Sequence, residues 1–81
     1  MRIKVRLFAI SKEIAGRNEI IFEVPNQISC QKVLSRLQAE IPALFSILES
    51  CFVAINGSYV DKTMGVSEGD EVAILPPVSG G

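Results

Sequence analysis

The 81-residue chain contains no histidine and no tryptophan, and it has only two cysteines, Cys30 and Cys51. The absence of histidine excludes Ser-His and Cys-His nucleophile pairs, as well as every zinc site that uses a histidine ligand. The two cysteines form no Cys-X-X-Cys pair, so they indicate neither a disulfide framework nor a metal site. We therefore predict no metal ligands and expect both thiols to be buried and unreactive.

Long apolar runs and an excess of charge of one sign are also missing. No stretch of about 18 apolar residues is present, which argues against a membrane-spanning helix. The net charge of −1 argues against nucleic-acid binding through a general positive field. Residues 1–6 alternate charged and apolar side chains, unlike the unbroken apolar run of a signal peptide. We expect a cytoplasmic protein without membrane or nucleic-acid partners.

Apolar residues make up 48% of the chain, which is enough for one small core. Alternation of apolar and polar residues predicts strands, and an apolar stripe at helical spacing predicts one main helix, 30–41, with Ser29 as its N-cap. Ser11 is expected to cap a short helix over 12–15 that ends at Gly16, and Pro42 to begin another short helix. The predicted strands are 2–9, 18–24, 51–55, 58–60 and 71–75.

The Asn56-Gly57 pair predicts a type I′ hairpin turn, because both residue types tolerate a positive φ. The element order is then β-β-α-β-β, an α+β fold in which one mixed sheet packs on one main helix. The crossover through the helix permits the first strand to pair in parallel with a later strand. This is the arrangement of ubiquitin-like β-grasp domains, and we predict such a domain over residues 1–75.

Residues 76–81 are predicted to form a flexible tail. Two prolines cannot continue a β-ladder, and two final glycines leave a thin backbone that can enter a narrow channel in a partner. The reactive group would be the Gly81 carboxylate, which becomes electrophilic when joined to AMP; the chain has no GxxxxGK[ST] loop, so a partner would bind the ATP. The alternative is a frayed end without function. The tail comprises Pro76, Pro77, Val78, Ser79, Gly80 and Gly81.

Three segments resemble, in the same order, segments of the small subunit of molybdopterin synthase. They are Val-Ala-Ile-Asn-Gly at 53–57, Gly-Asp-Glu-Val-Ala at 69–73 and Pro-Pro-Val-Ser-Gly-Gly at 76–81, and Leu-Phe-Ala at 7–9 is also similar. The resemblance covers essentially the whole chain, which is identified as a member of this sulfur carrier (MoaD) family. It implies that Gly81 is adenylated, converted to a thiocarboxylate and used to donate sulfur to cyclic pyranopterin monophosphate.

The resemblance also implies partners. These are the large subunit, with which the chain would form a heterotetramer, an adenylating enzyme resembling the ubiquitin-activating enzyme, and a sulfur-donating protein. The chain would bind no cofactor, since ATP is used by the activating partner, and it would not be an enzyme on its own, since the catalytic groups belong to the large subunit. The alternatives are a ubiquitin-like modifier, a sulfur carrier for thiamine or cysteine synthesis, and an interaction module with an inert tail.

Strand alternation predicts an exposed apolar patch beside the tail. It puts Phe8 and Leu75 on the sheet face away from the main helix, where they form one exposed apolar patch if the first and last strands are neighbours. Tyr59 is expected at its margin. On the residues alone, a docking surface and scattered exposed apolar residues are equally good interpretations; the family resemblance favours docking. On the same face, Arg2, Lys4 and Arg6 could steer an acidic partner or contact a phosphate, but a solvated strand surface is the default interpretation, and Asp70 is interpreted as a turn residue.

Overall fold

The computed structural model describes residues 1–77, and its helices and strands follow the predicted order with additions. Each of the five predicted strands is present with ends within two residues of those expected, and a 3-10 turn at Pro42–Leu44 precedes the third helix. The elements are β1 Arg2–Leu7, α1 Ala9–Ala15, β2 Glu19–Glu23, β3 Ile28–Ser29, α2 Cys30–Glu40, α3 Phe45–Leu48, β4 Phe52–Ile55, β5 Ser58–Val60, β6 Gly65–Val66 and β7 Glu71–Leu75.

The main sheet has the strand order β2-β1-β7-β4-β5, so the first and last long strands are central neighbours. β1 and β7 run parallel with Leu7 opposite Ile74, and the other neighbouring pairs are antiparallel. The hairpin between β4 and β5 has φ values of 50° at Asn56 and 87° at Gly57, as a type I′ turn requires. The predicted mixed sheet and its hairpin are therefore confirmed.

The core lies between this sheet and α2. The Ser29 hydroxyl accepts a hydrogen bond of 3.3 Å from the Lys32 backbone N–H, which confirms the predicted N-cap. Helix α2 has 11 residues, and within residues 1–77 no helix is long and apolar enough to cross a membrane. The helix and the sheet meet through buried side chains that include Val33, Leu34 and Leu37 of α2 and Ile3, Val5, Leu7, Val72 and Ile74 of β1 and β7.

The start of α1 differs from the prediction. The helix begins at Ala9 rather than Lys12, its N-cap is Phe8, and Ser11 is a buried residue within its first turn. Serine is the usual N-cap type, so the sequence favoured Ser11; here its hydroxyl instead bonds back to the Phe8 backbone. β1 consequently ends at Leu7, two residues early, while Gly16 ends the helix at φ 75° as predicted.

A second, two-stranded sheet was not predicted. β3 pairs with β6 in antiparallel orientation, with Ile28 opposite Val66. Each strand has only two residues, which is too short for an alternating pattern to be recognised in the sequence. The pairing joins the start of α2 to the loop before β7, where Val66 adds to the core.

Candidate functional site

The chain leaves the main sheet at the end of β7, where the sequence predicted the strand to stop. Leu75 is the last strand residue, and Pro76 and Pro77 follow it outside any helix or strand. Pro76 is half-buried and Pro77 is exposed. The structure therefore locates the start of the predicted tail, whose remaining residues Val78, Ser79, Gly80 and Gly81 lie outside the described residues.

The face of the sheet that points away from α2 is called the open face here. Residues directly opposite each other on neighbouring strands share a face, so the strand registers give its layout. One row across all five strands contains Glu19, Arg6, Ala73, Ala54 and Tyr59. In the adjacent row, at the tail end of β7, Phe52 lies opposite Leu75.

This adjacent row carries two of the predicted docking residues, Phe8 and Leu75, and the third, Tyr59, lies next to it. Phe8 continues β1 with an extended backbone (φ −130°, ψ 155°), so it comes alongside Leu75 one step beyond the Leu7–Ile74 pair. The Tyr59 ring lies 6.1 Å from the Phe52 ring at an interplanar angle of 77°, an edge-to-face contact. The structure brings the three predicted residues to one end of the open face. Together with one further residue they form the apolar patch: Phe8, Phe52, Tyr59 and Leu75.

Phe52 is the member of the apolar patch that the sequence interpretation missed. Its side chain is 50% exposed, between Phe8 at 38% and Tyr59 at 70%. A phenylalanine in an apolar strand is usually a core residue, which hid its role. The signal was present in the alternation of β4, because Val53 faces the core and its neighbour must then face the other way.

The backbone of Phe8 is held in place from α1. The Ser11 hydroxyl accepts a hydrogen bond of 3.1 Å from the Phe8 N–H and donates one of 2.7 Å to the Phe8 carbonyl. Ala9, between them, has a φ of 52°, a left-handed conformation that is unfavourable for a residue with a Cβ. The chain thus turns sharply after Phe8, and this turn fixes the end of β1 beside β7.

The remaining part of the open face contains the exposed Ile21 and three basic side chains, each within 4.0 Å of a carboxylate. Arg2 Nε lies 3.2 Å from the Glu23 carboxylate, Lys4 Nζ 4.0 Å from that of Glu19, and Arg6 Nη1 3.8 Å from that of Glu71. All six side chains remain partly exposed, so each pair contributes at most about 1 kcal/mol to folding. For Arg2 and Lys4 this arrangement agrees with the interpretation as a solvated strand surface, whereas Arg6 has a covered Nε without a hydrogen-bond partner among residues 1–77.

Asp70 has the turn role that the sequence predicted. Its carboxylate accepts hydrogen bonds from the Ser67 backbone N–H at 2.8 Å and from Asn56 Nδ2 at 3.0 Å. Gly69 before it has a φ of 84°, which favours glycine. Asp70 therefore joins the turn before β7 to the β4–β5 hairpin.

The two thiols lie in the core and not at the candidate site. Cys30 and Cys51 are free and buried, as predicted, and burial raises the pKa of each above its ordinary value. Cys51 Sγ also donates a hydrogen bond of 3.0 Å to the Leu48 carbonyl. A thiol that stays protonated is a poor nucleophile, so neither cysteine is a candidate sulfur-transfer group.

Comparison with known proteins gives consistent matches over the full chain. The sequence profile of the ThiS family matches residues 5–81. A Chlamydomonas reinhardtii protein named molybdopterin synthase sulfur carrier subunit is 45% identical, and the alignment covers 100% of both chains.

Solved structures with the same fold include SAMP1 from Haloferax volcanii, with a TM-score of 0.90, 29% identity and 100% coverage of both chains. A chain from the Helicobacter pylori complex of subunits 1 and 2 of molybdopterin-converting factor has a TM-score of 0.72, 28% identity and 100% coverage of both chains. The predicted ubiquitin-like β-grasp fold and the family resemblance are confirmed, and this chain belongs to the ThiS family.

Proposed function

We propose that this chain is the sulfur carrier subunit of a molybdopterin synthase. The observation that carries the proposal is the 45% identity, over the full length of both chains, to the Chlamydomonas protein of that name. Because this alignment covers all of both chains, it includes the tail as well as the folded domain. The apolar patch gives independent support, since it lies at the strand end from which Pro76 leads into the tail.

The proposed chemistry takes place at Gly81. In an adenylating partner, the Gly81 carboxylate attacks the α-phosphorus of ATP and pyrophosphate leaves, which produces an acyl adenylate. A persulfide on a donor protein then displaces AMP to give an acyl disulfide, and a thiol reduces its S–S bond, which releases Gly81 as a thiocarboxylate and leaves the donor thiol in a disulfide with the reducing thiol. Gly80 and Gly81 have no Cβ, so the tail backbone can enter a narrow active site. Activation is needed because a free carboxylate is a poor electrophile.

The proposed acceptor is cyclic pyranopterin monophosphate bound to the large subunit of a heterotetramer. The large subunit supplies the catalytic groups, and this chain supplies the sulfur and the docking surface. Burial of the apolar patch would hold the base of the tail against the partner, with Phe52 and Tyr59 as aromatic anchors. This explains why large apolar side chains are left exposed at the end of β7. A cytoplasmic location stays a prediction from the sequence.

Intact-mass measurement tests the chemistry. The purified chain is incubated with its adenylating enzyme, ATP and a sulfur donor, and any mass gain is located by fragmentation. We expect one oxygen of Gly81 to be replaced by sulfur, and no such product from a chain that lacks Gly80 and Gly81. Absence of both adenylate and sulfur on Gly81, with an enzyme that charges another carrier, would refute the proposal.

Calorimetry tests the docking surface. Phe8→Asp should weaken binding to the large subunit at least tenfold without unfolding the domain, because it places a charge in the apolar patch. The matched control is Ile21→Asp, which changes another exposed apolar residue of the open face, 54% exposed and opposite Lys4 at the far side of the sheet. Unchanged affinity of the Phe8 variant, or an equal loss in both variants, would contradict docking through the patch.

A second candidate function is protein modification, and one comparison favours it. SAMP1, a structure with a TM-score of 0.90, is a small archaeal modifier protein by name. A modifier would use the same activated Gly81 but transfer it to a lysine amine, forming an isopeptide. Peptide mapping after incubation with the activating enzyme, ATP and cell extract distinguishes the two functions, because only a modifier leaves Gly81 joined to lysine side chains. A carrier for thiamine or cysteine synthesis would differ only in the acceptor of the sulfur.

A further inference from the structure

We infer that Arg6 is a carboxylate-binding residue at the margin of the apolar patch and pairs with an acidic side chain of the large subunit in the docked complex. The inference rests on the proposed function for the identity of the partner. The evidence is that Arg6 lies farther from its carboxylate within the chain than Arg2 does. The partner is therefore expected to present a carboxylate next to the apolar patch.

Arg6 is poorly paired in the isolated chain. Its Nη1 lies 3.8 Å from Glu71 Oε2, which is too long for a hydrogen bond, whereas Arg2 Nε donates a hydrogen bond of 3.2 Å to Glu23. Arg6 Nε is covered from solvent and has no hydrogen-bond partner among residues 1–77. A covered donor without an acceptor is unfavourable, and the guanidinium is built to offer two parallel N–H groups to one carboxylate. Arg6 therefore has unused donor capacity.

Its position connects the charged and apolar parts of the open face. The Arg6 guanidinium lies 5.6 Å from the centroid of the Phe8 ring, within cation–π distance. About 40% of the side chain is exposed, so a partner that covers Phe8 must remove water from the guanidinium as well. Removing a charge from water is costly unless an opposite charge replaces the water. A partner surface that is only apolar would therefore fit this margin badly.

Release of Arg6 from Glu71 would not leave that carboxylate without a cation. In the parallel register Lys4 is directly opposite Glu71, and the present Lys4 contact with Glu19 is long, at 4.0 Å. Glu71 can thus turn to Lys4 when Arg6 turns to a carboxylate of the partner. Arg2 has no such freedom, because it is hydrogen-bonded to Glu23 at the opposite end of β1. Among the three cations of the open face, Arg6 is therefore the one that can leave its carboxylate in the chain for a carboxylate of the partner.

The test compares Arg6→Met with Arg2→Met in calorimetric titrations with the large subunit from the same organism, at low and high salt. We expect Arg6→Met to bind about tenfold more weakly at low salt, and the difference from the wild type to shrink at high salt because ions screen the pair. Arg2→Met should stay within about twofold. Thermal unfolding of isolated Arg6→Met should occur at an unchanged or higher temperature, because a covered, unsatisfied donor is removed.

A variant that binds more weakly but unfolds at the same or a higher temperature has lost a contact with the partner. A folding defect would lower both the affinity and the unfolding temperature. The inference is overturned if the wild type binds and Arg6→Met binds equally well, if both arginine variants lose the same affinity, or if the loss does not depend on salt. It is overturned together with the proposed docking if the wild-type chain itself fails to bind the large subunit. The first group of results leaves the proposed function intact, so the two failures can be told apart.

Discussion

Along β1 and β7, residues that face α2 and residues that face the open side alternate one by one. The residues on the α2 side are removed from water: Val5, Val72 and Ile74 are fully buried. On the open face the members of the apolar patch reach 70% exposure at Tyr59. Both faces contain large apolar side chains, but only those on the α2 side are removed from water by the fold itself.

This difference separates residues that stabilise the domain from residues available to a partner. Burial of apolar surface stabilises by about 25 cal/mol per Å², so an exposed aromatic contributes much less to folding than a buried aliphatic one. Each basic side chain of the open face lies near a carboxylate of the chain itself, whereas the apolar patch has no covering element among the residues described. Substitutions on the α2 side should therefore lower mainly the free energy of unfolding, and substitutions in the apolar patch should lower mainly the affinity for the large subunit.

The largest effect is expected from neighbouring residues of β7 that face opposite sides. Ile74→Ala should lower the free energy of unfolding by about 2–5 kcal/mol, because it leaves a cavity in a fully buried site. Leu75→Ala, one residue on and only partly buried, should cost about 1 kcal/mol or less. Urea denaturation at 25 °C measures both values.

The affinity for the large subunit should be affected in the reverse order by these two substitutions. Leu75→Ala should weaken docking on the large subunit, while Ile74→Ala, measured at a temperature where it is folded, should bind as the wild type does. Equal losses of stability in the two variants would mean that the open face is part of the folding core, and the division between faces would be wrong.

The next largest effect concerns Phe52. Phe52→Ala should reduce the free energy of binding to the large subunit by about 2 kcal/mol, as expected for an aromatic anchor in an interface. Phe45→Ala is the matched control, because Phe45 is 60% exposed but lies on α3 rather than on the open face. Surface plasmon resonance gives both affinities. If the Phe45 variant loses as much as the Phe52 variant, general exposure rather than the apolar patch controls binding.

The sequence predicted the sheet, the main helix and the hairpin because long alternating strands, an apolar helical stripe and Asn56-Gly57 each have a distinct local pattern. Strand alternation put Phe8 and Leu75 on one face, and their proximity, with Tyr59 at the margin, depended on the first and last strands being neighbours, which the structure shows. It could not give the pairing of Phe52 with Leu75 without the register between β4 and β7. It also misplaced the start of α1, since only tertiary structure shows that Ser11 is buried and bonded back to Phe8.

A smaller effect is expected at this link between α1 and the open face. Ser11→Ala should lower the free energy of unfolding by about 1–2 kcal/mol, because the Phe8 N–H loses its acceptor, the buried Ser11 hydroxyl. Ser35→Ala should change it by less than about 0.5 kcal/mol, since Ser35 is exposed on α2 and only bonds back to the Gln31 carbonyl at 3.2 Å. Thermal denaturation compares the two. A neutral Ser11→Ala would show that the Phe8 backbone does not depend on this hydroxyl.

The smallest effect should have the opposite sign and comes from the first residue of α1, directly after Phe8. Ala9 has a φ of 52°, where a Cβ costs about 1–2 kcal/mol, and glycine avoids that cost while adding about 0.4–1 kcal/mol of entropy to the unfolded chain. Ala9→Gly should therefore stabilise the domain by about 0.5 kcal/mol. Ala39→Gly, within α2 and exposed, should destabilise it by about 0.5–1 kcal/mol, since glycine there only weakens the helix. Urea denaturation shows whether each substitution raises or lowers the free energy of unfolding. A loss of stability in both variants would mean that Ala9 is not strained. If the strain serves to aim Phe8, Ala9→Gly should also bind the large subunit somewhat more weakly, although the domain itself is more stable.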